Sequence, residues 1–157
     1  MRIGSRAAVD VGTKRIGLAL CDSEAILATP LATVDRGDIL DTAISRVVAL
    51  IPESVIEIYV GLPVNLQGNS TQSTLDAVLF AQALQTAVTC SVRLIDERMT
   101  TALANSQLRQ IGKSQKDARS SIDQMAAVAI LEYALELEKK QGIEPGVSLS
   151  DWRLANE

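Results

Sequence analysis

The chain has no histidine. That excludes Ser-His-Asp and Cys-His catalytic machinery and removes the commonest zinc ligand. Cysteine is scarce. Cys21 and Cys90 form no CxxC pair, and two thiols cannot make a disulfide framework, which fits a reducing cytosol. Aromatics are 3% of the 157 residues, so a core must be built from Val, Ile, Leu and Ala. No apolar run is long enough to span a membrane, and the first residues enter a strand with no apolar leader. These absences predict one cytoplasmic domain whose chemistry uses carboxylates, lysine, hydroxyls or a metal held by oxygen.

The formal net charge is −4, which argues against a general nucleic-acid coat. The charge is uneven, however. Arg2, Arg6, Lys14 and Arg15 face only Asp10 in residues 1–17. Arg93, Arg98, Arg109, Lys113, Lys116 and Arg119 outnumber Asp96, Glu97 and Asp117 in residues 93–119. Each stretch nets +3 and the remainder −10. Local basic stretches on an acidic protein can still meet phosphates at one face.

Periodicity predicts strands at 6–11, 15–21, 27–34, 55–60 and 91–95, the first two forming a hairpin about Gly12-Thr13-Lys14. Pro30 pushes the third strand toward an edge. Helical spacing appears at 38–51, capped by Asp38, at 72–87, and at 116–140, whose middle (125–131, MAAVAIL) is apolar all round. Thr100 or Thr101 can cap a further helix running to Ile111 and stopped by Gly112. A domain over 1–140 and a loose tail over 141–157, rich in Gly and Pro, are expected. A hairpin followed by alternating helices and strands gives a mixed α/β sheet, with parallel later strands and function at their carboxyl ends.

Three acids are out of place in this pattern. Asp10 interrupts an apolar strand (RAAVDV), where Asp is disfavoured and a buried charge needs a partner. Glu97, with Asp96 beside it, lies at the exit of the fifth strand. Asp123 lies just ahead of the buried helix segment, with Ala126 and Ala127 three and four residues on. Each has an ordinary structural alternative: a hairpin-end residue, acids favouring a helix dipole, and a Ser120-x-x-Asp123 cap. Together they suggest an oxygen-ligand site for Mg²⁺ or Mn²⁺. Two such ions ~4 Å apart drive phosphodiester hydrolysis without histidine. Lys14 and Arg15 in the first turn, Arg98, and the cluster Arg109, Lys113, Ser114, Lys116 and Arg119 are candidate phosphate contacts or solvated surface. Asn65, Gln67 and Asn69 are candidate substrate contacts or turn residues.

The stretches VDVGTKRIGLALCD, VGLPVNLQGNSTQS, LIDERMTT and SIDQMAAVAIL occur in the order seen in the YqgF/RuvX family, and the resemblance covers about residues 6–140. It implies an RNase H-like fold: a five-stranded mixed sheet, hairpin strands first and parallel strands after, with helices on both faces. The implied activity is a metal-dependent nuclease for pre-16S rRNA, acting in 5′-end processing and ribosome biogenesis. The alternative is a Holliday junction resolvase in DNA recombination and repair. Carried over by motif, Asp10, Glu97 and Asp123 are the catalytic metal ligands, for Mg²⁺ or Mn²⁺ as two ions, with Asp96 a fourth acid. Lys14, Arg15, Arg98 and Thr101 flank the site as substrate contacts. Implied partners are pre-16S rRNA or a DNA junction, with ribosomal precursor particles and no membrane, and the protein is a monomer or a dimer. The sequence departs from the pattern at Ala8, where many members have Gly, and at LQGNSTQS, where an acid is common.

Two other classes compete. DVGTKRIGLAL also resembles the first phosphate loop of actin-like and sugar-kinase ATPases, but these need a second lobe for which 157 residues leave no room. A non-catalytic binding module would not need all three carboxylates.

Overall fold

The computed structural model describes residues 1–100 and 116–156. Strands β1 (Arg6–Val11) and β2 (Arg15–Cys21) form the expected hairpin. Its turn is tight: the Gly12 N–H donates to the Arg15 carbonyl at 2.9 Å, and a Cβ on Gly12 would lie 2.5 Å from that oxygen. Then come β3 (Ala28–Asp35), α1 (Leu40–Leu50), β4 (Glu57–Leu62), α2 (Gln72–Ala87) and β5 (Ser91–Asp96). A 3₁₀ turn (Glu97–Met99) leads out of β5. The long helix α3 (Lys116–Gln141), β6 (Val147–Ser148) and α4 (Leu149–Asn156) complete the described elements.

The sheet order is β3-β2-β1-β4-β5-β6. β1 runs antiparallel to β2 and parallel to β4, and β4 is parallel to β5. This is a mixed sheet with helices on both faces. β3 is an edge, as Pro30 required, and its register shifts between Leu18 and Ala19 of the neighbouring strand.

Among the described residues the five-strand expectation is corrected to six. β6 adds antiparallel to β5 and is only two residues long, too short to carry a period. Residues 141–157, read as a loose tail, contain β6 and α4. Gly146 (φ +75°) brings its backbone against the Leu94 carbonyl. Arg93 clamps the approach, donating to the Pro145 carbonyl at 2.6 Å and the Gly146 carbonyl at 3.0 Å. Leu149 and Trp152 then pack on the core.

Strand alternation divides the core in two. Ala7, Val9, Ile16, Leu18, Ile58, Val60, Val92 and Leu94 face one side, with Ala43, Ile44 and Val47 of α1 and Val78, Phe80, Ala81 and Leu84 of α2. Ala8, Ala19, Cys21, Tyr59 and Ile95 face the other, against Ala126, Ala127, Ile130, Leu131 and Ala134 of α3. Small residues on both partners seat α3 close to the sheet. Met125 is exposed, so α3 is not buried all round as its composition suggested. Asp38 caps nothing. The N-cap of α1 is Ile39, which makes no side-chain cap hydrogen bond. At α2, Thr71 and Thr74 cap each other reciprocally.

Distant parts of the chain meet in a buried ionic network. Arg2 reaches Glu57 at 2.7 Å and also pairs with Glu138, while Arg6 reaches Glu138 at 2.8 Å. Arg6, Glu57 and Glu138 are buried. Burial pushes the Glu138 carboxyl up, but hydrogen bonds from Arg2 and the charges of Arg6 and Arg2 outweigh it. The result lies below the ordinary value of 4.5. A depressed carboxylate stabilises the fold above its unfolded value, and that contribution is lost as pH falls through the folded value. Melting temperature is therefore expected to drop as pH is lowered below about 4.5, and Glu138→Gln is expected to flatten that slope. Parallel slopes for variant and wild type in thermal melts would assign the acid sensitivity elsewhere.

Candidate functional site

Asp10 is the fifth residue of β1, on the α3 face, and is 3% exposed. Its Cα partner on β2 is Gly17. On the other side, the Val9–Val60 pairing carries Asp10 alongside Gly61 of β4. The buried carboxylate thus lies between two strand glycines.

Each glycine makes room for one of the other acids. A Cβ on Gly17 would collide with the main-chain carbonyl of Asp123 and lie 3.2 Å from the Gln124 nitrogen. A Cβ on Gly61 would collide with the Glu97 carboxylate and lie 2.6 Å from Ile130 Cδ1. Asp123 therefore sits over β2, Asp10 on β1 and Glu97 over β4, across one face. Asp123 is 1% and Glu97 5% exposed. Neither glycine stands out as functional in the sequence reading. The available signal is a glycine inside a strand, which marks close approach of another group.

Alternation also sorts the acidic pair at the end of β5. Ile95 faces α3, so Glu97 continues toward that face and Asp96, opposite Leu62, does not. Asp96 instead caps the 3₁₀ turn, accepting from the Arg98 N–H at 2.9 Å, and pairs with the Arg98 guanidinium at 2.7 Å. Burial would raise Asp96, but its hydrogen bonds and charge pairing with Arg98 prevail and leave it below the ordinary carboxylate range. Asp96 is thereby committed to Arg98.

The buried Asp123 carboxylate accepts from Arg15 Nε at 2.8 Å. Arg15 is partly exposed at the start of β2, so its guanidinium borders solvent at the rim of the acidic row. Lys14 is exposed at the hairpin tip. The turn beneath it is held by Arg36, whose N–H donates to the Lys14 carbonyl at 2.9 Å and whose guanidinium donates to the Gly12 carbonyl at 2.8 Å. Arg36 also grips Asp76 of α2 with two 2.7 Å bonds. This supporting arginine carries no local signal in the sequence. Arg98 lies against the loop after β4, with its Nη1 3.0 Å from where a Cβ on Gly68 would be. Thr101 lies outside the described residues, as do Arg109, Lys113 and Ser114.

Three buried carboxylates supply hard oxygen donors, the type that Mg²⁺ and Mn²⁺ take. In donor chemistry the residues fit such an ion. Among the described residues, however, no three acidic, histidine or cysteine side chains are gathered closely enough to ligate one ion, and Asp123 is engaged by Arg15. Also among the described residues, no helix is long and apolar enough to cross a membrane.

The family model described as "RuvX: Holliday junction resolvase" matches residues 4–137. The chain belongs to the RuvX family. The matched stretch contains all three acids. Curated relatives of this chain include proteins called "Putative pre-16S rRNA nuclease". The protein from Leifsonia xyli is 47% identical over 148 residues, 93% of this chain and 94% of that one. That from Streptomyces avermitilis is also 47% identical, with the same coverage. That from Clavibacter michiganensis is 46% identical over 93% of this chain and 91% of its own. Among solved structures, the human cytomegalovirus terminase nuclease domain, Mn soaked, is 12% identical over 95% of this chain and 77% of that one, at a TM-score of 0.42.

Proposed function

We propose that this RuvX-family chain is a cytoplasmic, divalent-metal-dependent nuclease that hydrolyses phosphodiester bonds in precursor 16S rRNA during 5′-end processing. The observation that carries the reading is the buried row Asp123–Asp10–Glu97, held over two glycines on one sheet face. Three carboxylates are an expensive thing to bury, and a folding role would not require all three on one sheet face. The names of the relatives supply the substrate. The nuclease domain is centred on residues 1–140, with β6 and α4 packed onto it.

In this reading Asp10, Glu97 and Asp123 hold Mg²⁺ or Mn²⁺, as two ions. When bound, these ions activate water and stabilise the leaving oxygen. Arg15 masks the charge of Asp123 and, at the rim, can exchange that carboxylate for a substrate phosphate, a planar donor suited to either. Lys14 and Arg98 border the same end of the sheet, and the motif makes Thr101 a further proposed substrate contact. Asp96 acts through Arg98, orienting the guanidinium.

The family description favours a second reading, resolution of four-way DNA junctions. That reaction needs two active sites and so a dimer. The test is a cleavage assay with each metal on an RNA spanning the 16S 5′ precursor region and on a four-way junction. Metal-dependent RNA cutting is expected. Junction cutting alone by a dimeric protein would replace the first reading with the second, and no cutting of either would remove both.

A further inference from the structure

We propose that Leu66 is the side chain against which an unpaired RNA base beside the scissile phosphate rests, an inference that rests on the nuclease reading above. Leu66 is 81% exposed, on the loop that leaves β4. An exposed leucine on a mobile loop would mean little, but this loop is built. The Asn65 side-chain carbonyl accepts from the Gln67 N–H at 3.1 Å and the Asn69 N–H at 2.9 Å. The Gly68 N–H donates to the Asn65 carbonyl at 2.9 Å, and the Asn65 N–H to the Asn69 carbonyl at 3.1 Å. Val64 bridges Ser70, and Thr74 of α2 donates to the Pro63 carbonyl. The loop therefore presents Leu66 to water at little further entropic cost on binding.

Its position relates to the acidic row at both ends. Five residues earlier in the chain, Gly61 abuts Glu97, and two residues later Gly68 abuts Arg98. A strand whose phosphate lies at Glu97 and Arg98 passes this loop.

The composition gives Leu66 its role. Single-stranded nucleic acid is usually gripped by aromatic faces on which bases stack. The chain has four aromatics. Tyr59 and Phe80 are fully buried, Tyr133 packs on the α3-side core, and Trp152 packs on the opposite core. None of the four lies on this loop, and all pack against the cores. The apolar contact that an unstacked base needs falls to the leucine held out there.

The experiment uses Asp10→Asn as parent, so that nothing is cut. Its target is a short single-stranded oligoribonucleotide carrying 2-aminopurine, whose fluorescence reports unstacking. Leu66→Ala is expected to weaken binding about tenfold and to lose the fluorescence change, with melting temperature unaltered. Leu66→Trp is expected to restore both. In the cleaving protein, Leu66→Ala is expected to raise KM and leave kcat in place. Binding by Leu66→Ala within about twofold of the parent overturns the proposal, and so does a loss that Leu66→Trp fails to restore. If the wild type cuts no RNA while the Leu66 effects on binding hold, the nuclease reading falls and the base contact stands. If the parent binds no RNA, the base contact falls as well.

Discussion

Asp10→Asn is expected to abolish metal-dependent cleavage while leaving the fold at least as stable as the wild type. The substitution keeps shape and removes one charge from the centre of the acidic row. Losing a ligand that positions a divalent ion forfeits several kcal/mol of transition-state stabilisation. At 1.36 kcal/mol per decade, about 4 kcal/mol is a rate loss on the order of 10³-fold. Stability moves the other way. The amide has no charge to desolvate at this buried position, so it costs less to bury than the carboxylate. Specific activity on the RNA substrate and a thermal melt without metal check both halves. An Asn variant that cuts within tenfold of wild type would take Asp10 out of the chemistry. One that melts well below wild type would mean that the charge is structural.

The second large effect is expected from a methyl group. Gly17→Ala places a Cβ on the Asp123 carbonyl, which belongs to a helix backbone and cannot turn aside. Either α3 lifts from the sheet or β2 bends. Overpacking of this kind costs about 3 kcal/mol, roughly 6–12 °C in melting temperature for a chain of this length. Activity is lost with it, because the displaced residue is Asp123. Gly61→Ala meets the ends of two side chains, Glu97 and Ile130, which can shift. Its expected signature is a severe loss of activity with a smaller loss of stability. Equal melting temperatures for the two variants would contradict the packing described for Gly17.

These glycines mark the limit of what the sequence makes legible. The hairpin, the edge placement of β3, helix α2 and the three oddly placed acids are all readable, because each is a local violation or a local period. Asp10 stands out because an apolar strand makes a charge conspicuous. Gly17 in RIGLALC does not, since one glycine in a strand has several ordinary explanations. Its meaning depends on a helix more than a hundred residues later. Arg93 shows the same limit from the other side. It counts as part of a basic stretch, yet it pins the backbone of 145–146, and the short β6 beside it has too few residues to show a period. Glu57 and Glu138 meet Arg2 and Arg6 only through tertiary packing. Asp96 and Glu97 are adjacent and chemically alike, and only the alternation of β5 separates the acid that faces α3 from the partner of Arg98.

The ionic network has a consequence for how this chain can vary in length. β1 and α3 run in opposite directions and are tied at both ends: Arg6 meets Glu138 at one, and at the other the Asp123 backbone crosses Gly17, the β2 partner of Asp10. The strand fixes one interval and the helix the other. Adding or deleting one residue between Asp123 and Glu138 would turn one end of the helix by about 100° relative to the other. One of the two acids would then swing off the sheet. The segment from Asp123 to Glu138 acts as a gauge of fixed length, and insertions that preserve both contacts must fall outside it.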